Sequence, residues 1–530
     1  MSRFVRASKY RHVFGQPGKK EYGVENLKVT NSAWDTNYIA ASAKYISVNW
    51  NASGGGAFAI LPLPSPFAPL PNGLSYKVPD IIPLARGHTA PVLDTDWSPF
   101  DDSVVASGGE DGKALIWKVE NAAFNGWGAD GWDPVDFDPV LRIDVSPKRV
   151  GQVVWHPTAE HVLATATGEY TVKLWDLGSP ESPKSVLSGH GDAIQSFTFN
   201  PTGTLLVTTS RDKKIRLFDP RAGGEPVRIN DGHGGVKGAR VVWMGEHDRI
   251  ATTGFSKMSD RQVGIWEASS LNNLKTTTID QSSGVLMPFW SDNNILFLAG
   301  KGDGNIRYYE YENDTLFPLS EHKSTDPQRG MCFLPRRALS VTDCEIARAY
   351  KVYGNTVEPI AFIVPRKAES FQSDIYPPAP SSEPALTAGE FFSGKTAAPK
   401  LVSLEDGSIT SGSTPSTAPT RISSAPAPSP SIASTTTPAP APVPVSSPKV
   451  VTPSQSVSSP VESKPLSRSF SSGFESDFSP PASDENHALK EENARLTGDL
   501  REAREKIRNL ELQVETFRAN ARKAAALLDA

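Results

Sequence analysis

Residues 87–119 read GHTAPVLDTDWSPFDDSVVASGGEDGKALIWKV. The order is Gly-His, an apolar-polar alternation, a turn, a second alternation, an Asp-Gly turn, and a third alternation ending at Trp117. Period-two alternation over a few residues, interrupted by Asp and Gly, specifies short antiparallel strands. Such a unit has two sheet faces to cover and cannot cover both itself, so like units must pack on either side. They are present. GHGDAIQSFTFNPTGTLLVTTSRDKKIRLFDP (189–220) and GHGGVKGARVVWMGEHDRIATTGFSKMSDRQVGIWEA (232–268) repeat the order. RVGQVVWHPTAEHVLATATGEYTVKLWDL (149–177) lacks the Gly-His pair, and GVLMPFWSDNNILFLAGKGDGNIRYYEY (284–311) lacks the histidine and ends on aromatics other than Trp.

The closing aromatics, Trp117, Trp175, Phe218, Trp266 and Tyr309, lie 58, 43, 48 and 43 residues apart, the first interval lengthened by NGWGADGWDPVDFDP (125–139). A period near 43 with Gly-His and Trp-Asp marks is the WD repeat, whose units stack radially as blades of a β-propeller. Residues 28–63 and 325–353 add strand material for two further blades, so the fold class is all-β: a seven-bladed propeller over residues 1–354. SKYRHVFG (8–15) is the expected outer strand that closes the ring.

Polar residues recur at fixed offsets. His88, Ser107, Asp111 and Trp117 are suited to a buried hydrogen-bond chain within a blade, and His190, Thr208 and Asp212 repeat it. A hydrolytic triad needs one set with an exposed nucleophile, whereas repetition in successive blades marks architecture. GEFFSGKT carries Gly389, Gly394, Lys395 and Thr396 at phosphate-loop spacing. A phosphate loop needs a strand before it and a helix after it, and AAPKLVSLEDGS supplies no helix. The expectation is a protein that is no enzyme and takes no cofactor or metal.

Two cysteines exclude a disulfide framework. No run reaches the 18 or more apolar residues of a membrane span, and MSRFVRASKY lacks a signal core, so a reduced cytoplasmic protein without membrane insertion is expected. The sequons at Asn51 and Asn313 then go unused. Net charge is −5, but the first 28 residues carry seven Lys or Arg against Glu21 and Glu25. Such an excess suits an acidic protein partner; no nucleic-acid module is present.

Residues 355–399 hold Phe362, Phe371, Tyr376, Phe391 and Phe392, costly to leave in water, so these aromatics are expected to dock. Residues 400–483 are Ser/Thr/Pro/Ala-rich and read as a disordered linker, with an r.m.s. reach of about 50 Å. Ser429, Ser447, Thr452, Ser459 and Ser479 precede proline and are candidate phosphorylation sites. Residues 484–530 keep a seven-residue rhythm for six heptads, a parallel coiled coil. Asn493, Leu500, Ile507 and Val514 fall at position a, Leu510 and Phe517 at d, Lys506 at g and Glu511 at e. The β-branched a residues with leucine at d, and Asn493, favour a dimer in general.

SKYRHVFG, NWNASGGGAFAILPL, GHTAPVLDTDWSPF, TTGFSKMSDRQVGIW, LMPFW and GKGDGNIRYYEY together resemble coronins, especially those of fungi, over about residues 2–395 and the final helix. The resemblance implies a seven-bladed propeller, with residues 355–399 as an extension packed on it, that binds filamentous actin and regulates the Arp complex of branched nucleation, the final helix engaging that complex. It implies a cytoplasmic place at the actin cytoskeleton, in cell cortex and actin patches. Lys28, in NLKVTNSAWD, stands where actin-binding coronins have a basic residue; Lys19 and Lys20 are added on charge alone. Trimeric coronins resemble KIRNLE (506–511) with arginine where Lys506 stands, which favours a homotrimer over the dimer. Lysine lacks arginine's bidentate fork toward a carboxylate. A general WD-repeat scaffold without direct actin contact is the alternative.

Overall fold

The computed structural model describes residues 6–71, 74–127, 129, 131–367, 370–411, 495 and 498. Among them the chain forms seven four-stranded antiparallel sheets and one three-stranded sheet. Blade 1 runs from its innermost strand Ile39–Ala41 to its outer strand Leu84–His88, blade 2 from Val92–Trp97 to Leu141–Asp144, and blade 3 from Val150–Trp155 to Ser185–Leu187. Blade 4 spans Ile194–Phe199 to Arg228–Asp231, blade 5 Arg240–Trp243 to Asn273–Asp280, and blade 6 Leu286–Ser291 to Thr315–His322. Blade 7 is Gly330–Phe333, Glu345–Tyr353 and Thr356–Ile363, completed by Phe14–Pro17 from the other end of the chain. The innermost strands line a polar central channel that includes Asp94, Asp96, Gln152 and Arg240.

The ring closes by antiparallel pairing of Phe14 with Ile363 through Pro17 with Ile360. The closing strand therefore lies further along the chain than the expected 8–15. Tyr10 and Val13 are buried in the core shared by blades 6 and 7, so this stretch attaches through side chains before the backbone pairs. Thr356–Ile363 is the third strand of blade 7, which moves the end of the propeller from 354 to 363. Residues 325–353 provide only two strands, and a blade needs the third to cover its neighbour.

Sequence repeat and blade are out of phase by one strand. Each Gly-His pair ends the outer strand of one blade or follows it, while the rest of the repeat builds the next blade. Neighbouring blades pack face to face: Phe58 on the third strand of blade 1 meets Trp117 on the third strand of blade 2 edge-on, with ring centroids 5.4 Å apart.

The extension docks as expected for Phe391, which is fully buried, and for Tyr376. A five-residue helix, Ala388–Phe392, begins with a capping box between Thr387 and Glu390. Ala379–Pro380, Lys400–Val402 and Ile409–Ser411 form the three-stranded sheet, so order continues past 400, where the linker was expected to start. Ser381 N–H donates to the Lys400 carbonyl at 2.9 Å and Lys400 Nζ reaches Glu383, contacts that composition does not announce. The rest of the expected linker, with Ser429, Ser447, Thr452, Ser459 and Ser479, lies outside the described residues, as do Asn493, Leu500, Lys506, Ile507, Leu510, Glu511, Val514 and Phe517. Arg495 and Gly498 are helical and exposed, and fall at c and f of the expected heptad. No helix among the described residues is long and apolar enough to cross a membrane.

Candidate functional site

The junctions between blades hold the chemistry most easily mistaken for an active site. His88, on the outer strand of blade 1, reaches into blade 2: Nδ1 is 3.0 Å from Asp111 Oδ1 and Nε2 is 2.8 Å from Ser107 Oγ. The carboxylate fixes the proton on Nδ1, so Nε2 accepts from Ser107, and Ser107 Oγ in turn accepts from Trp117 Nε1 at 2.8 Å. The chain of bonds spans two blades, where the sequence placed it within one. Asp–His–Ser has the order of a hydrolytic relay, yet Ser107 is fully buried and its oxygen is occupied by the indole. Burial works to raise the Asp111 pKa, but the His88 bond and two backbone N–H groups hold it below the ordinary value.

The relay weakens around the ring. His190 Nε2 meets Thr208 at 2.9 Å, but Asp212 is turned to Arg216, whose two terminal nitrogens lie 3.0 and 2.6 Å from it. Asp212 instead accepts the Gly191 N–H. Phe218 has no donor for Thr208. Between blades 4 and 5 the shared hydroxyl returns: Thr252 Oγ1 is 2.9 Å from His233 Nε2 and 2.7 Å from Trp266 Nε1. Gly109 and Gly254 leave room for these rings, since a Cβ at either would come within 2.5 Å of the incoming histidine.

Because every blade is an antiparallel meander entered by its innermost strand, the turns before the first strand and between the second and third strands share one end of the ring. Lys28 belongs to that end. Its carbonyl accepts the Asn51 N–H at 2.7 Å in such a turn of blade 1, and Leu27 N–H donates to Asn355 in that of blade 7. The Lys28 side chain is exposed, and its Nζ donates to the Asp80 carbonyl at 3.2 Å, beside Ile81, which is 74% exposed. Lys19 and Lys20 lie at a short 3-10 turn (Lys20–Tyr22) on the outer edge of blade 7. Lys20 pairs with Glu25 at 3.2 Å, and Lys19 Nζ lies 5.3 Å from the Tyr22 ring centroid.

The stretch that follows Lys28 was expected to be strand material. Thr30–Tyr38 instead crosses the mouth of the channel at the same end. Trp34 Nε1 donates to Gly151 O of blade 3 at 2.8 Å and Thr36 Oγ1 to Leu93 O of blade 2 at 2.5 Å. Asp35 is clamped by Arg240 of blade 5 at 3.2 Å and Lys301 of blade 6 at 2.9 Å, and Arg329, at the entry to blade 7, donates to the Thr30 carbonyl. Burial pushes Lys301 down to about 8 even though Asp35 favours its charge. The segment anchors Lys28 to five blades at once, so the position of that lysine is set by the ring. No periodicity marks such a segment.

The phosphate-loop pattern is filled by structure of the wrong polarity. The helix Ala388–Phe392 precedes Gly394-Lys395-Thr396, so its N-terminus points away from that turn. Lys395 pairs with Glu390 at 2.6 Å, and Arg221 donates to Gly394 O and Thr396 Oγ1. Among the described residues, no group of three or more His, Cys, Asp or Glu is placed to hold a metal. What the surface offers is exposed cations on a rigid end of a ring, chemistry suited to holding a partner.

Residues 3–67 match a domain of unknown function (DUF1899), residues 82–118 and 181–219 the WD domain, G-beta repeat, and residues 357–399 a type of WD40 repeat. The chain is 52% identical over 408 residues to coronin-like protein crn1 of Schizosaccharomyces pombe, covering 76% of this chain and 65% of that one. It therefore spans just under two thirds of that relative's length. It is 43% identical over 413 residues to coronin-A of Dictyostelium discoideum, covering 77% and 88%. The solved WD40 domain of Toxoplasma gondii coronin superposes with a TM-score of 0.67 at 29% identity, covering 74% of this chain and 97% of that domain.

Proposed function

The chain belongs to the coronin family, and from that membership we propose that it binds filamentous actin through the end of the propeller that carries Lys28. The observation that carries this reading is the placement of Lys28: exposed, bonded only to a backbone carbonyl, and anchored to a segment that five blades hold in place. A cation so held loses little freedom on meeting an acidic surface, which favours a defined contact over diffuse attraction. Lys19 and Lys20 add a positive rim, Lys20 less so because Glu25 already partners it.

The rest of the reading concerns the whole assembly. Residues 484–530 join copies into a homotrimer, or a homodimer, so that several propellers crosslink filaments. The same segment engages the Arp complex, and the protein works in cytoplasm at the cortex and actin patches. Phosphates at Ser429, Ser447, Thr452, Ser459 or Ser479 would each add about −1.5 to −2 charge and tune the linker.

Lys28→Asp tests the surface. Filament cosedimentation should weaken about fivefold or more, and the residual binding should depend less steeply on salt, because one exposed attraction has become a repulsion. Unchanged affinity with an unchanged thermal midpoint would move the contact off Lys28. Wild-type protein that fails to pellet with filaments would instead favour a WD-repeat scaffold for other proteins.

A further inference from the structure

A second basic surface lies on the same end of the ring as Lys28, at blades 4 and 5. Arg211 and Lys213 are on the turn between the second and third strands of blade 4. Val236 and Lys237 are on the connection into blade 5, and Lys257 and Met258 on the turn between the second and third strands of blade 5. These elements touch. Lys213 Nζ donates to the Gly234 carbonyl at 3.0 Å, and the Lys257 stem lies against Gly234, so the two lysines flank the connection from opposite sides. Lys237 Nζ donates to Ser283 O and sits 4.9 Å from the Phe255 ring centroid.

Two features distinguish this patch from an ordinary solvated face. Among the described residues none of its four cations forms an ion pair, while the nearby acids have other partners: Asp212 pairs with Arg216, the exposed Asp231 with Lys214, Asp260 accepts from Ser256 and Asp192 accepts the Ala193 N–H. Between the cations project Val236 and Met258, 76% and 83% exposed. Apolar side chains held out on rigid turns and ringed by unpaired positive charge form the centre and rim of a contact surface, and the charge selects an acidic partner.

We propose that the blade 4–5 patch is a second contact with the filament, Met258 and Val236 packing on it while Arg211, Lys213, Lys237 and Lys257 face its acidic side chains. The inference rests on the filament-binding reading and extends it: Lys28 and the patch share one end of the ring with the channel mouth between them, so a single propeller grips at two points.

The test is cosedimentation of the full chain with actin filaments, comparing wild type, Lys213→Glu/Lys257→Glu, Met258→Asp and Lys28→Asp. All altered patch side chains are exposed, and an unchanged thermal midpoint verifies the fold. Reversing two rim charges should weaken binding about five- to tenfold, with a shallower salt dependence, and Met258→Asp about tenfold with little change in salt dependence. Wild-type affinity in both patch variants, alongside weakened Lys28→Asp, overturns the second contact and leaves the first. Failure of the wild type to bind filaments overturns both.

Discussion

Ser107 is a single hydroxyl on which two blades depend. It accepts from Trp117 and donates to His88, so Ser107→Ala leaves the indole N–H and the imidazole Nε2 buried without a partner. Each orphaned group costs about 1–3 kcal/mol, so the change should lower unfolding free energy by about 2–6 kcal/mol. Thr208 has one such bond, to His190, because Phe218 replaces the tryptophan. Thr208→Val should therefore cost only about half as much. Urea unfolding of the two variants checks this, and equal losses would show that the second donor contributes nothing. The residue types of these relays were legible in the sequence because they recur at fixed offsets. Their partition between two blades was not, since a repeat on a closed ring has no intrinsic start and its period is the same wherever the blade begins. Nor could the loss of the acid in the second relay be read, because Arg216 looks like any strand residue until its guanidinium is seen on Asp212.

At the scale of elements, the short helix of the extension is seated by one ring. Phe391 is fully buried and lies 4.2 Å, centroid to centroid, from His156, which also meets Phe199 at 5.0 Å. His156 Nδ1 accepts N–H bonds from Thr158 and Ala159, and Nε2 faces the Gly203 carbonyl at 3.2 Å, so the site requires the neutral ring. Gly203, at φ +70°, makes the room, since a Cβ there would come 1.9 Å from Nε2. Burial, with Arg221 nearby adding to it, pushes the His156 pKa from 6.5 down to about 3, although the Gly203 bond opposes the shift. The unfolded chain then takes up a proton near pH 6.5 that the native chain refuses. Stability present above pH 6.5 is lost as pH falls toward 3, by up to about 1.4 kcal/mol per pH unit. In His156→Gln the other titrating groups remain, so the difference between wild-type and variant stability should shrink at that slope between pH 6 and pH 4.5. Parallel profiles would show that His156 is not held neutral. Sequence reasoning found the docking aromatic by its hydrophobic cost, but not the histidine beneath it, which sits in a repeat lacking the usual Gly-His pair. It also missed Thr30–Tyr38, because a segment shaped by separate hydrogen bonds and ion pairs to five blades has no period to detect. The exposed Val236 and Met258 were hidden for a related reason: alternation shows which strand face is buried, never which turn projects.

For the whole molecule, the proposed function makes affinity a matter of copy number. A propeller held to a filament by exposed charges and two small apolar contacts binds modestly, since surface ion pairs each contribute less than about 1 kcal/mol. A filament, however, repeats its sites, and copies joined as proposed at residues 484–530 would meet the second site at an effective concentration set by the linker, which can raise avidity by about 10²- to 10⁴-fold. Removing residues 484–530 should leave the propeller's thermal midpoint unchanged, reduce the sedimenting mass from that of a trimer to that of a monomer, and weaken apparent filament affinity by about a hundredfold. Low-speed pelleting of filament bundles should disappear with it. The contrast with Lys28→Asp is informative, because that change weakens every propeller's own contact and leaves mass unaltered. A truncated chain that remains trimeric would move self-association out of the heptads. One that becomes monomeric yet still bundles filaments would mean that a single propeller bridges two of them, and the two contacts at Lys28 and at blades 4 and 5 would then have to engage different filaments.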